Sequence, residues 1–298
     1  MKTRTRKGLA LLLSAAMIVS MLALPVLAEE QSSPSFPDVA GHWAEGSIDR
    51  WAVYGIVKGD EYGKANPDSQ LTRGELAQIF VNLFGLTTVA KNTYADLKGS
   101  EWYADAILKC TAAGILQGDG TSSRAAAPIT RQEVMVMFGR AMGVIAPADP
   151  DLSGFTDGDK VADWAAGYMA ALAKLGIVTG SGDGSVAPAN NIDRASLLAL
   201  LDKAVVEYVT EPGKANVNDA NGFVIVNVPS EGTVTLTGTI SGVVVAAGTR
   251  DAEVAASGLT AATVKVDSSA ALSVDDASKL SNLTLNAPAP VEIARGSS

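Results

Sequence analysis

Three arginines stand at matching places, each just ahead of an apolar run. They occur in Leu71-Thr72-Arg73-Gly74-Glu75-Leu76, in Ile129-Thr130-Arg131-Gln132-Glu133-Val134 and in Ile192-Asp193-Arg194-Ala195-Ser196-Leu197. A guanidinium is a rigid fork of donors that matches a carboxylate or phosphate in a bidentate way. In the first two segments Thr and Glu stand three apart. This is the capping-box pattern, so a helix is expected to begin at the Arg. The third keeps an N-cap in Asp193 but has Ser196 where the Glu should be. A cation at the first helical position opposes the helix dipole and costs a few tenths to about 1 kcal/mol. An anion shared between the guanidinium and the free helix amides would offset that cost; a local Asp or Glu paired to the Arg is the alternative. Catalytic chemistry is poorly supplied. His42 and Cys110 are the sole residues of their kinds, so no metal cluster or nucleophile–base pair can draw on a second histidine. Asp157-Gly158-Asp159 and Asp183-Gly184-Ser185 lack the run of acidic ligands ending in Glu that an EF-hand requires. Neither catalytic residues, metal ligands nor cofactors are expected.

Stepping upstream from each Arg, the same spacing recurs. Trp43, Trp102 and Trp164 each precede a Gly (Gly55, Gly114, Gly176) by 12 residues, and Gly59, Gly118 and Gly180 follow 4 later. The Arg comes 14, 13 and 14 residues after that second Gly. A fixed period marks a tandem repeat. Each unit reads as helix, loop, helix. Ala106, Ile107 and Cys110 are spaced helically in one first helix, and Leu76, Ile79, Phe80 and Leu83 in one second helix. Gly55, Gly114 and Gly176 supply left-handed stops, with Gly85 and Gly143 closing the first two Arg-bearing helices. Cys110 reads as a small core residue. A unit of about 55 residues buries too little apolar surface to stand alone, so three are expected to share a core.

These residues resemble a known family. Phe36-Pro37-Asp38-Val39, His42-Trp43-Ala44, Gly55-Ile56-Val57-Lys58-Gly59, Pro67 and Thr72-Arg73-Gly74-Glu75 look like one S-layer homology (SLH) repeat. The second copy runs from Tyr94-Ala95-Asp96-Leu97 to Thr130-Arg131-Gln132-Glu133. The third, from Phe155-Thr156-Asp157 to Asp193-Arg194-Ala195-Ser196, departs from the pattern at its end. The resemblance covers a little over half of the chain. It implies a pseudo-threefold α-helical bundle with grooves between neighbouring repeats. Its implied ligand is a secondary cell-wall polysaccharide attached to peptidoglycan, often bearing a pyruvate ketal whose carboxylate Arg73, Arg131 and Arg194 would hold. Trp43, Trp102 and Trp164 would lie against a sugar ring or else anchor a helix in the core. Asp38, Asp96 and Asp157 would accept sugar hydroxyls or, the favoured reading, cap the helix that follows. Gly59, Gly118 and Gly180 would let backbone approach a ligand or a neighbouring helix. His42, present in one repeat only, reads as a packing or sugar-contact variant.

The rest of the chain frames this module. Residues 1–28 read as a secretory signal peptide, with Lys2, Arg4, Arg6 and Lys7 before an apolar stretch and Val26-Leu27-Ala28 before the cleavage point. The formal net charge is −9. Removing those four bases leaves 19 against 32 acids, or about −13, which disfavours nucleic acid and anionic membrane surfaces as partners. One cysteine in an exported chain means no internal disulfide. The repeats are expected at 36–86, 94–143 and 155–209, with a linker at 210–222. In 223–298, apolar pairs two apart recur: Val224/Val226, Val234/Leu236, Val243/Val245, Val264/Val266, Leu272/Val274, Leu283/Leu285 and Val291/Ile293. They predict strands, in a sandwich or, as the small turn residues favour, a β-solenoid. Its only adjacent acid pair, Asp275-Asp276, would point to opposite faces of a strand. The ending at Arg295–Ser298 has no evident cap, so the region reads as part of a longer architecture. The fold class expected is thus α+β and multidomain. The function expected is non-catalytic anchoring of an exported surface protein, with possible self-assembly into a surface layer. A surface polysaccharide-degrading enzyme with a β-solenoid catalytic region is the alternative.

Overall fold

The structure is a computed structural model that describes residues 36–294. The expected signal peptide and the final four residues lie outside the described residues. Six helices come first: α1 (Glu45–Val53), α2 (Arg73–Phe84), α3 (Ala104–Ala112), α4 (Arg131–Ala141), α5 (Asp163–Lys174) and α6 (Arg194–Ala204). Helices α2 and α4 start in complete capping boxes, from Thr72 with Glu75 and from Thr130 with Glu133. The Asp193 carboxylate accepts from the Ser196 amide to cap α6. Gly55, Gly85, Gly114, Gly143 and Gly176 all have the left-handed φ that a helix stop requires.

The second helix of each repeat packs on the first helix of the next. Thus α2 meets α3, α4 meets α5, and α6 returns to α1. At the centre the chain closes a three-membered ring of backbone hydrogen bonds. The Leu71 amide donates to Ile192 O, the Ile192 amide to Ile129 O and the Ile129 amide to Leu71 O, at 2.9, 3.1 and 2.9 Å. All three residues are buried. The three repeats therefore share one apolar core, which includes the post-glycine pairs Ile56-Val57, Ile115-Leu116 and Ile177-Val178.

The β-region is a parallel solenoid. Strands β1 (Val205–Val209), β2 (Gly213–Val226), β3 (Gly232–Val245), β4 (Ala252–Val266) and β5 (Ala271–Val274) stack in order, all parallel. Then β6 (Lys279–Leu280) and β7 (Leu283–Leu285) pair with β4, and β8 (Val291–Ile293) with β5. The sandwich alternative is set aside, since parallel neighbours require one coil of chain between successive strands. Alternation decides which way each side chain faces. Val224, Val226, Val243, Val245, Val264 and Val266 fill the solenoid interior. Phe223, Ile225 and Val244, on the opposite face, join the helical core.

That double burial corrects the expected linker. Residues 210–222 are mostly strand, β2 beginning at Gly213, and α6 passes into β1 without a break, so the third helical unit ends at Ala204 rather than 209. The first coils are welded to the bundle. Tyr208 Oη donates to Leu83 O at 3.0 Å, and Asn227 Nδ2 donates to Tyr208 Oη at 2.8 Å and to Leu83 O at 3.3 Å. The Gly248 amide donates to Phe84 O at 3.1 Å. A Cβ on Gly85 would lie 2.6 Å from Gly248 Cα, so this junction tolerates no side chain at either position.

Candidate functional site

The three arginines do more between repeats than within them. Arg73 Nε donates to Ser123 O, Arg131 Nε to Val186 O and Arg194 Nε to Ala65 O, at 3.1, 2.9 and 2.9 Å. Each acceptor lies in the loop of the following repeat, with the third repeat followed by the first. Each acceptor residue also gives its own amide to an aspartate. Asp38 receives the amides of Ala65 and Asn66, Asp96 those of Ser123 and Arg124, and Asp157 those of Val186 and Ala187. The second residue of each pair has positive φ, 52°, 52° and 45°, a conformation that costs a side-chain-bearing residue roughly 1–2 kcal/mol. Aspartate and arginine thus grip one strained loop peptide from its two ends, three times over. Burial pushes the Asp96 carboxyl up, but the Ser122 hydroxyl and the Ser123 and Arg124 amides outweigh it and bring its pKa down to about 2.

Three expectations change accordingly. The aspartates do not cap the following helices, whose N-caps are Ala44, Tyr103 and Ala162 with no side-chain bond; their oxygens are taken by loop amides. No anion is needed at the Arg-bearing helix starts. The Arg73 and Gly74 amides donate to Ala127 O and Ala125 O, Arg131 and Gln132 to Asn190 O and Pro188 O, and Arg194 and Ala195 to Ser69 O and Pro67 O. The unfavourable cation is retained because it reaches the neighbouring loop. The glycines are small for their own loops: a Cβ on Gly118 would lie 2.4 Å from Ser122 O and 2.6 Å from the Tyr94 ring, and one on Gly59 or Gly180 would lie 3.0 Å from Gly63 or Gly184 backbone. His42 is a local cap, accepting from the Ala44 amide through Nδ1 at 3.1 Å and meeting Asp68 through Nε2 at 3.2 Å.

The tryptophans are on the surface. Trp43, Trp102 and Trp164 are 67, 64 and 55 % exposed, while Trp51 is fully buried. Each exposed indole lines a groove to which all three repeats contribute. Gly118, Trp164 and Arg73 line a groove of about 430 Å³. Gly59, Trp102 and Arg194 line one of about 700 Å³. Thr179, Trp43 and Arg131 line one of about 220 Å³, which Gly180 itself does not line. The first holds three cations (Arg73, Arg124, Arg140) against two carboxylates, Asp119 and Glu133. The second holds Lys58, Lys64 and Arg194 against Asp60 and Glu75. The third holds Arg131 and Lys203 with no carboxylate. On a chain of net charge −9, every groove is locally positive. Sequence reasoning missed Lys203, Lys58, Arg124 and Arg140, which follow no repeat-wide motif.

The S-layer homology domain model matches residues 35–77, 93–135 and 154–198. The chain is an SLH-domain protein with three tandem repeats. The SLH match falls on the helical part and includes all three arginine motifs. An amylopullulanase of Thermoanaerobacterium thermosulfurigenes is 32 % identical over 171 residues, 56 % of this chain and 9 % of that protein. S-layer protein EA1 of Bacillus anthracis is 31 % identical over 242 residues, 78 % of this chain and 26 % of that protein. The surface-layer 125 kDa protein of Lysinibacillus sphaericus is 28 % identical over 244 residues, 79 % and 20 % respectively. The chain spans about a quarter or less of the length of these relatives. SLH domains are cell-wall-binding modules of surface proteins, and among the described residues no helix is long and apolar enough to cross a membrane.

Proposed function

We propose that the SLH bundle anchors this chain to the cell wall by holding an anionic, pyruvylated secondary cell-wall polysaccharide in its inter-repeat grooves. The observation that carries the reading is the groove composition: one exposed indole beside an excess of cations, three times, on an acidic protein. An indole face covers the apolar side of a sugar ring, and a guanidinium or ammonium beside it meets a ketal carboxylate. Several modest contacts to one polymer then add through effective concentration. The solenoid stands outward as a display element, with copies of the chain arrayed at the surface.

The module is read as non-catalytic. The alternative, an SLH-anchored polysaccharide-degrading enzyme with its chemistry in the solenoid, draws on the amylopullulanase match. That match is about as long as the three repeats together. The 78 % coverage by EA1 needs residues beyond them, which favours a surface-layer architecture. Asp275, the leading acid of the β-region, accepts from the Ser257 and Ser278 hydroxyls and the Gly258 amide, and so ties two turns together.

The test is co-sedimentation with purified sacculi. The chain is expected to pellet with intact walls, to stay in solution after the non-peptidoglycan polymer is stripped, and to lose retention when Trp43, Trp102 and Trp164 are all replaced by Ala. Full retention on stripped walls would exclude the polysaccharide as ligand. A point change in the solenoid that abolished glycan turnover would favour the enzyme.

A further inference from the structure

The three grooves differ in one systematic way. Each arginine points toward the third helical residue of the following repeat's second helix. For Arg73 that residue is Glu133, whose Oε1 lies 3.0 Å from Arg73 Nη1 and 3.2 Å from Arg124 Nη1. For Arg194 it is Glu75, at 3.6 Å. For Arg131 it is Ser196, which lines the same groove. Among the described residues no carboxylate comes within ion-pairing distance of Arg131. The two acids whose charge reaches it, Asp193 and Asp157, are engaged with the Ser196 amide and with the Val186 and Ala187 amides.

We propose that the groove between the third and first repeats is the strongest acidic-sugar site of the three, and that Ser196 is the specificity-determining residue that makes it so. The inference rests on the anionic-glycan reading above and adds a rank order to it. In the other two grooves a ligand carboxylate must approach a guanidinium already neutralised by a glutamate, and like charges brought together in a half-buried site repel. Beside Arg131 the side chain at that position is a neutral hydroxyl. Its Nη donors remain free of carboxylate partners, and Lys203 supplies a second cation from α6. The loss of Glu from the third motif leaves Arg194 still paired, through Glu75, and instead unburdens the arginine of the repeat before it. The Glu-to-Ser change acts across the repeat boundary.

Each groove carries its own reporter. Chains retaining one exposed indole (Trp43, Trp102 or Trp164, the other two changed to Phe) are titrated by fluorescence. The probe is the methyl glycoside of a pyruvate-ketal N-acetylhexosamine, with the unketalised glycoside as the neutral control. The Trp43 reporter is expected to saturate at about tenfold lower concentration than the other two, and the neutral glycoside is expected to erase that ranking. Ser196→Glu is expected to bring Trp43 to the level of the others. Glu133→Gln, which keeps an amide oxygen for the helix cap, is expected to raise affinity at Trp164. This second variant keeps the test open should Ser196→Glu fail to fold. Equal affinities, or a ranking that survives with the neutral sugar, would overturn the role of Ser196 and leave the anionic-glycan reading standing. Silence of all three indoles toward the acidic sugar would overturn that reading and this one with it.

Discussion

Replacing Arg73 by Ala separates the two duties that the repeated arginine performs. The Arg73 side chain is buried, donates Nε to Ser123 O and pairs through Nη1 with Glu133. Breaking one partner out of a buried pair costs about 3–5 kcal/mol. Glu133 keeps Arg124 and the Thr130 amide and hydroxyl as partners, which reduces the loss at that end to about half of that. The unsatisfied Ser123 carbonyl adds about 1–3 kcal/mol. The total is about 2.5–5.5 kcal/mol. At about 2–4 °C per kcal/mol for a domain of this size, Tm should fall by about 5–22 °C. Arg131→Ala loses the bond to Val186 O and no ion pair, so it should cost about 1–3 kcal/mol, the range for an orphaned carbonyl. Urea denaturation followed by near-ultraviolet circular dichroism gives both values. Arg73→Ala is expected to be the more destabilising and Arg131→Ala the more damaging to binding of the acidic sugar. Equal destabilisation by the two variants, or a Tm within 2 °C of wild type for Arg73→Ala, would refute the clamp assignment.

Other outcomes follow from the same geometry. The Asp96 pKa is depressed to about 2, below an unfolded value near 4, so its contribution is present above pH 4 and lost as pH falls toward 2; the stability gap between wild type and Asp96→Asn, read from acid-titrated melts, should narrow across that window. Tyr208→Phe removes the hydroxyl that donates to Leu83 O and accepts from Asn227 and should cost about 1 kcal/mol in urea denaturation without altering wall binding. Burial pushes the Cys110 thiol up to about 12, so the native chain should react with a thiol reagent only at its unfolding rate, whereas the urea-unfolded chain should react at once.

The repeat, the helix caps and the glycine stops were legible in the sequence because each is local. A capping box needs only Thr72 and Glu75, and a left-handed stop only Gly114. The strand pairs were legible for the same reason, since alternation along Val243 to Val245 reports which face is inside. What could not be read is which loop a long side chain reaches. Arg73 spans to Ser123 and Glu133, fifty and sixty residues away, and nothing near Arg73 in sequence announces it. The nearness of the aspartates to the next helix suggests a cap, whereas their partners lie 27 to 30 residues downstream. The supposed linker at 210–222 is polar by composition. It is nevertheless strand, because the parallel neighbour β3 supplies the hydrogen bonds that its own sequence does not advertise.

The most direct measurement is a heteronuclear correlation spectrum of the chain labelled with ¹⁵N at tryptophan, recorded as soluble fragments of the wall polymer are added. The indole signals of Trp43, Trp102 and Trp164 should shift while that of the buried Trp51 stays in place. If polymer binds and those three signals do not move, the grooves are not where the glycan is held.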